Sequence, residues 1–193
     1  MTLRSWNGVR RAAAAAAVLM LAACAVPLKD GAGTARGVYE RTGRFAVNVE
    51  DAPEHRESVQ GGFVWRDAAN LLTLQLVNPF GSTLAEVRVG PGRAELIRGD
   101  GSRDYAEHPD DLVAQVLHSP VPVAGLRHWL RGRVDRERAT AVVENAQSVV
   151  SSFEQDGWRV GLSRYDDQGP TLLQLSRRDG SRNIRIRLAV DAR

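Results

Sequence analysis

LLTLQLVNPFGSTLAEVRV, residues 71–89, is the stretch whose reading decides the fold. Leu72, Leu74 and Leu76 alternate with Thr73, Gln75 and Val77, a period of two that places the leucines on one face of a strand. Ala85, Val87 and Val89 alternate with Glu86 and Arg88 in the same way. Between the runs stand Asn78, Pro79, Phe80 and Gly81. Asn, Pro and Gly suit the first, second and fourth positions of a type I turn, and the third position is aromatic. The pair reads as an antiparallel hairpin. The third position of such a turn points away from the sheet, so Phe80 is either displayed or folded back over the sheet's rim.

Outward from this hairpin the alternation recurs. Phe45, Val47 and Val49 alternate with Arg44, Ala46 and Asn48 from Gly43 onward, and Phe63 and Trp65 share a face within 58–66. Residues 67–70 turn the chain into the central hairpin, and Gly90-Pro91-Gly92 leads to a strand at 93–98. The period then changes. Pro109, Asp110 and Asp111 fit the start of a helix whose apolar stripe is Leu112, Val113, Val116 and Leu117. Ser119-Pro120-Val121-Pro122 breaks it. A second helix over 123–131 carries Val123, Leu126, Trp129 and Leu130 on one side and stops at Gly132. Strands resume at 139–143, 148–155, 158–165, 171–178 and 182–190, with Asp156-Gly157 and Asp179-Gly180 as hairpin turns. The fold class is mainly β, of the α+β kind. It is a curved antiparallel sheet or incomplete barrel covered by two helices.

The N-terminal residues bear on the compartment. Arg4, Arg10 and Arg11 precede an apolar run, 12–23, that is too short to cross a bilayer as a helix. It ends in Leu21-Ala22-Ala23-Cys24, with the chain's one cysteine directly after small residues. The pattern is that of a bacterial lipoprotein signal, residues 1–23, cleaved before Cys24, which then carries the lipid. Residues 24–42 read as a flexible tether and 43–193 as one domain. Three of the 26 basic residues and none of the 23 acidic ones fall in 1–23, which leaves the remainder balanced. Charge therefore gives no argument for nucleic-acid binding.

Catalytic patterns are missing. The chain has no phosphate-cradling glycine loop, no G-x-S-x-G elbow and no histidine pair at zinc spacing. His55, His108, His118 and His128 fall in turns or at helix edges, and the pairs Asp110/Asp111 and Asp166/Asp167 fit a helix start and a turn. No enzyme activity, cofactor or metal is expected. The apolar features say more. Phe45, Val47, Phe63, Trp65, Leu72, Leu74, Leu76, Val87, Leu126, Trp129, Leu130, Trp158, Ile184 and Ile186 would line the concave face. A filled core and a ligand cavity are spelled alike.

NPFGSTLAEV, the Gly99-Asp100-Gly101 turn, Tyr105, the Asp110-Asp111-Leu112 helix start, PVPVAGLRHWLRG at 120–132 and the W-x-V of 158–160 together resemble the LolB family of outer-membrane lipoprotein receptors. The resemblance runs from about Gly43 to the C-terminus. It implies an eleven-stranded half-open barrel with a helical lid over a hydrophobic cavity. It implies acylated lipoprotein cargo, accepted from a LolA-like periplasmic carrier and released into the phospholipid of the outer membrane's inner leaflet without nucleotide hydrolysis. The receptor would act as a monomer, held at the periplasmic face through Cys24; Ala25 after that cysteine agrees with outer-membrane sorting. The loop Asn78–Gly81 would insert cargo, with Phe80 at its apolar tip. The family usually carries a tryptophan-bearing helix before the first strand, where this chain has Tyr39. A reading of another class is an envelope assembly lipoprotein with a filled core and a protein-docking loop. A lipid hydrolase would need a nucleophile–base pair that the sequence does not offer.

Overall fold

Apolar side chains on every second residue build the molecule from its strands. The computed structural model describes residues 37–51 and 55–192. The expectations placed on residues 1–36, namely the signal, Cys24 and most of the tether, lie outside the described residues. The strands are β1 (Tyr39–Asp51), β2 (His55–Ala68), β3 (Leu71–Val77), β4 (Thr83–Gly90), β5 (Arg93–Arg98), β6 (Arg103–Ala106), β7 (Ala139–Glu144), β8 (Val150–Gln155), β9 (Trp158–Asp166), β10 (Gly169–Asp179) and β11 (Arg182–Val190). Two helices, α1 (Pro109–Leu117) and α2 (Val123–Trp129), separate β6 from β7.

Among the described residues these eleven strands form one sheet in the order β6-β5-β4-β3-β2-β1-β11-β10-β9-β8-β7, with no ladder joining β6 to β7. Every neighbouring pair is antiparallel. This is the expected incomplete barrel. Register aligns the buried faces: Phe45, Val47 and Val49 of β1 sit opposite Leu188, Ile186 and Ile184 of β11, and Phe63 and Trp65 of β2 opposite Leu76 and Leu74 of β3. Arg185 and Arg187 fall between the buried isoleucines and leucine of β11 and face outward. Burying one such leucine or isoleucine is worth roughly 1.5–3 kcal/mol, which pins the register.

Three details differ from the expected elements. β1 begins at Tyr39, ahead of Gly43, because Tyr39–Thr42 pair with Val64–Asp67 of β2. β6 is an additional strand. Its four residues carry no apolar alternation to announce it, and it pairs with β5 alone. The β10–β11 loop is Gly180-Ser181, since Asp179 already pairs with Arg182. Gly180 has φ +58° there, the positive value that a type II′ turn requires at its first loop position. At the β8–β9 turn, Asp156 and Gly157 both have positive φ, as a type I′ turn demands.

The two helices lie over the buried face. α1 packs on β4, β5 and β6 and against α2. Asp110, at the start of α1, accepts a hydrogen bond at 3.0 Å from the backbone N–H of Ala124 in the first turn of α2. One carboxylate thus joins the two helix starts. Burial pushes its pKa above the ordinary 3.8, against the backbone hydrogen bonds that lower it.

Candidate functional site

The central hairpin closes as its sequence dictates. The backbone N–H of Gly81 donates to the carbonyl of Asn78 at 3.0 Å, which makes the type I turn. Gly81 then takes φ +88°, a left-handed residue that shifts the ladder by one and lets Asn78 N–H reach the carbonyl of Ser82 at 2.9 Å. The Asn78 side chain accepts from the N–H groups of Phe80 and Ser82 at 2.9 and 3.0 Å. The loop's polar backbone is therefore held by its own asparagine, leaving the tip free of other duties. At that tip Phe80 is 93% exposed. Of the two sequence-level options for Phe80, the ring is displayed.

Behind the hairpin, all fourteen residues expected on the concave face are buried. They do not all meet at one place. Phe45, Val47, Phe63, Trp65, Leu74, Leu76, Leu126, Leu130 and Ile186 surround a common apolar cavity, joined by Val113, Leu117, Val121 and Leu188. Leu72, Val87, Trp129, Trp158 and Ile184 are buried elsewhere in the core. Trp129 stacks edge-on against Phe153, with ring centroids 5.5 Å apart. The cavity measures about 30 Å³. That is room for a water molecule or two and for no alkyl chain. The larger grooves open elsewhere. One of about 600 Å³, bounded by Arg138, Arg159, Arg178 and Arg185, is charged and unsuited to hydrocarbon.

The cover is held down at the Tyr39 end of the sheet by a cluster of polar side chains. Asp67, the next inward position of β2 after Phe63 and Trp65, is 5% exposed. Its oxygens accept from Arg127 Nη2 at 2.7 Å, from Arg127 Nε at 3.1 Å to each, and from Arg131 Nη2 at 2.9 Å. Burial pushes the Asp67 pKa up, but the hydrogen bonds from the two arginines outweigh it and hold the carboxyl below the ordinary range. Arg131 also lies over the Tyr39 ring, 3.8 Å from its centroid, and the Tyr39 hydroxyl donates to the carbonyl of Leu130 at 2.5 Å. Sequence reasoning placed Asp67 in a turn and missed this cluster. Its parity with Phe63 and Trp65 is the signal that shows it facing inward.

Comparison with known proteins agrees with this geometry. Residues 38–192 match the family described as Outer membrane lipoprotein LolB. The chain is 49% identical over 187 residues to the outer-membrane lipoprotein LolB of Bordetella petrii, covering 96% of this chain and 94% of that one. It is 48% identical to the Bordetella pertussis protein of the same name, over 89% of this chain and 86% of the other. It is 33% identical to that of Cupriavidus necator, over 92% of both. The match takes in the exposed Phe80 hairpin, the apolar face and the helical cover, and the chain belongs to the LolB family of outer-membrane lipoproteins.

Proposed function

We propose that this protein is an outer-membrane receptor that takes acylated lipoproteins from a LolA-like periplasmic carrier and inserts them into the inner leaflet of the outer membrane. It is a receptor and not an enzyme. The observation that carries the reading is Phe80: a displayed aromatic ring on a loop whose backbone N–H groups already bond within the loop. Such a ring gains roughly 1.5–3 kcal/mol on burial, enough to bias the loop toward a bilayer and too little to anchor the protein. Anchoring falls to the lipid on Cys24, with residues 1–23 removed and 24–42 as the connection. The protein works as a monomer.

Acyl chains of the cargo bind between the sheet and its helical cover, on the wall formed by Phe45, Phe63, Trp65, Leu74, Leu126 and Ile186. Each buried methylene contributes about 0.8 kcal/mol, so long chains hold the cargo without any hydrolytic step. A cavity of about 30 Å³ means that α1 and α2 move off the sheet to admit them. The Asp67 cluster is the contact that opposes that motion.

The test is a reconstituted transfer from loaded carrier to receptor to liposomes. Phe80→Glu should accept cargo as well as the parent and insert it into membranes at least tenfold more slowly. Normal insertion by this variant removes the loop from the mechanism. The closed core also suits the second reading, an envelope assembly lipoprotein that docks a protein through the same loop. A receptor that takes no acyl chain from the carrier would favour it.

A further inference from the structure

At the wall of the apolar cavity one donor has nothing to bond. Trp65 is 1% exposed and its indole Nε1–H is buried without a hydrogen-bond partner among the described residues. Its ring forms part of the wall of the 30 Å³ cavity. The other side chains of that wall are all hydrocarbon or phenyl, Phe63, Leu74 and Leu126 among them, and none can accept. Leaving an N–H unpaired in such surroundings costs free energy that a phenyl ring in the same place would not. A ligand that brings one isolated acceptor on an otherwise apolar body removes that cost.

The wall also restricts the acceptor. It carries no cation, so a free fatty carboxylate would enter with its charge uncompensated. A neutral carbonyl meets no such penalty. We propose that Trp65 is a specificity-determining donor, whose Nε1–H bonds the ester carbonyl of an acyl chain once the helical cover has moved aside. The proposal rests on the acyl-chain reading above and adds what that reading lacks, recognition of the linkage between chain and cargo. Trp129 supplies the internal control. Its Nε1 is also buried and unpartnered, yet the residue is not on the cavity wall.

The experiment uses the mature lipoprotein in detergent and three probes: a diacylglyceryl-cysteine peptide, its ether-linked counterpart without the carbonyls, and a diacyl phospholipid. The parent should bind the ester peptide about fivefold to tenfold more tightly than the ether. Trp65→Phe should bind both equally, and Trp129→Phe should keep the preference. In the parent, the indole N–H resonance of Trp65 should move downfield with the ester and stay in place with the ether, a readout independent of any variant's folding. The same shift with the phospholipid shows that Trp65 reads bilayer esters as well as cargo, and supports the donor. Equal binding of ester and ether by the parent, or an unmoved Trp65 resonance, overturns the proposal. If the parent binds none of the three probes, the acyl-chain reading itself falls, and the donor role with it.

Discussion

Arg41 is the side chain least expected inside this barrel. Its guanidinium has no exposure to solvent, and it bonds Asp166 at 2.8 Å and the carbonyl of Pro170 at 3.4 Å, with Nε left unpartnered. Asp166 in turn accepts from the backbone of Gln168 and Gly169. Burial raises its pKa, and the Arg41 hydrogen bond with these backbone bonds brings it below the ordinary value. A buried pair of this kind contributes little net stability while intact, and its disruption leaves a bare charge in the core. Asp166→Ala should therefore destabilise the protein by about 3 kcal/mol in denaturant melts, whereas Arg41→Met with Asp166→Leu should recover most of the loss. If the single substitution costs less than about 1 kcal/mol, the pair is not the tie between β1 and the β9–β10 turn. In the sequence, Arg41 has the inward parity of Phe45, Val47 and Val49 and Asp166 looks like a turn residue. The strand was expected only from Gly43, with Arg41 in the tether, and the partner 125 positions away had no signal at all, because no local pattern encodes a contact across the sheet.

At the scale of elements, the hairpins and both helices were legible because their causes are local: alternation, Asn-Pro and Asp-Gly turns, and a break at Ser119–Pro122. How the helices attach was not. Arg127 and Arg131 look like solvated positions beside an apolar stripe, and only the fold brings them to Asp67. The attachment is ionic, so the cover should be easier to lift when Asp67 loses its charge. Asp67→Asn removes charge-assisted hydrogen bonds worth roughly 1.5 kcal/mol, which should raise the open population and the rate of uptake of a fluorescent acyl chain about tenfold. The sign of the pH effect follows from the lowered pKa. The contact is fully present above Asp67's ordinary 3.8 and is lost as pH falls through the lowered folded value. Uptake by the parent should then speed up at the acid end while Asp67→Asn stays flat. Equal rates for the two proteins at pH 7 would show that lifting the cover does not break this cluster.

Across the whole molecule, the sheet is continuously paired and the cover is two short helices. Each interior strand is paired on both sides, and β1 has β2 beside it along its full length and β11 beside it from Gly43 to Asp51. The helices are short, nine and seven residues, and depend on packing against that sheet. If acyl chains enter this 30 Å³ space as proposed, they should displace helix before strand. Amide hydrogen exchange should rise at least tenfold across α1 and α2 on binding a lipopeptide, with β1, β10 and β11 unchanged. Protection that increases in the helices would mean that the chain binds outside the core. Cavity and core could not be told apart from the letters because the same apolar residues would wall an open cavity or fill a closed core.

The open barrel also leaves two strands with an unpaired side, β6 and β7, and an unpaired edge is a template for another chain. Neither makes a good one. β6 is four residues long, with Arg103 tied to Glu95 and Asp104 to Arg98. β7 is broken by a bulge in which Ala141, at φ +50°, and Val142 together face Phe153, so that its carbonyls and N–H groups no longer fall in a straight row. Under the proposed function, in which the protein holds other proteins' acyl chains close to a membrane, its own barrel can thus stay unsealed without stacking into sheets with its neighbours.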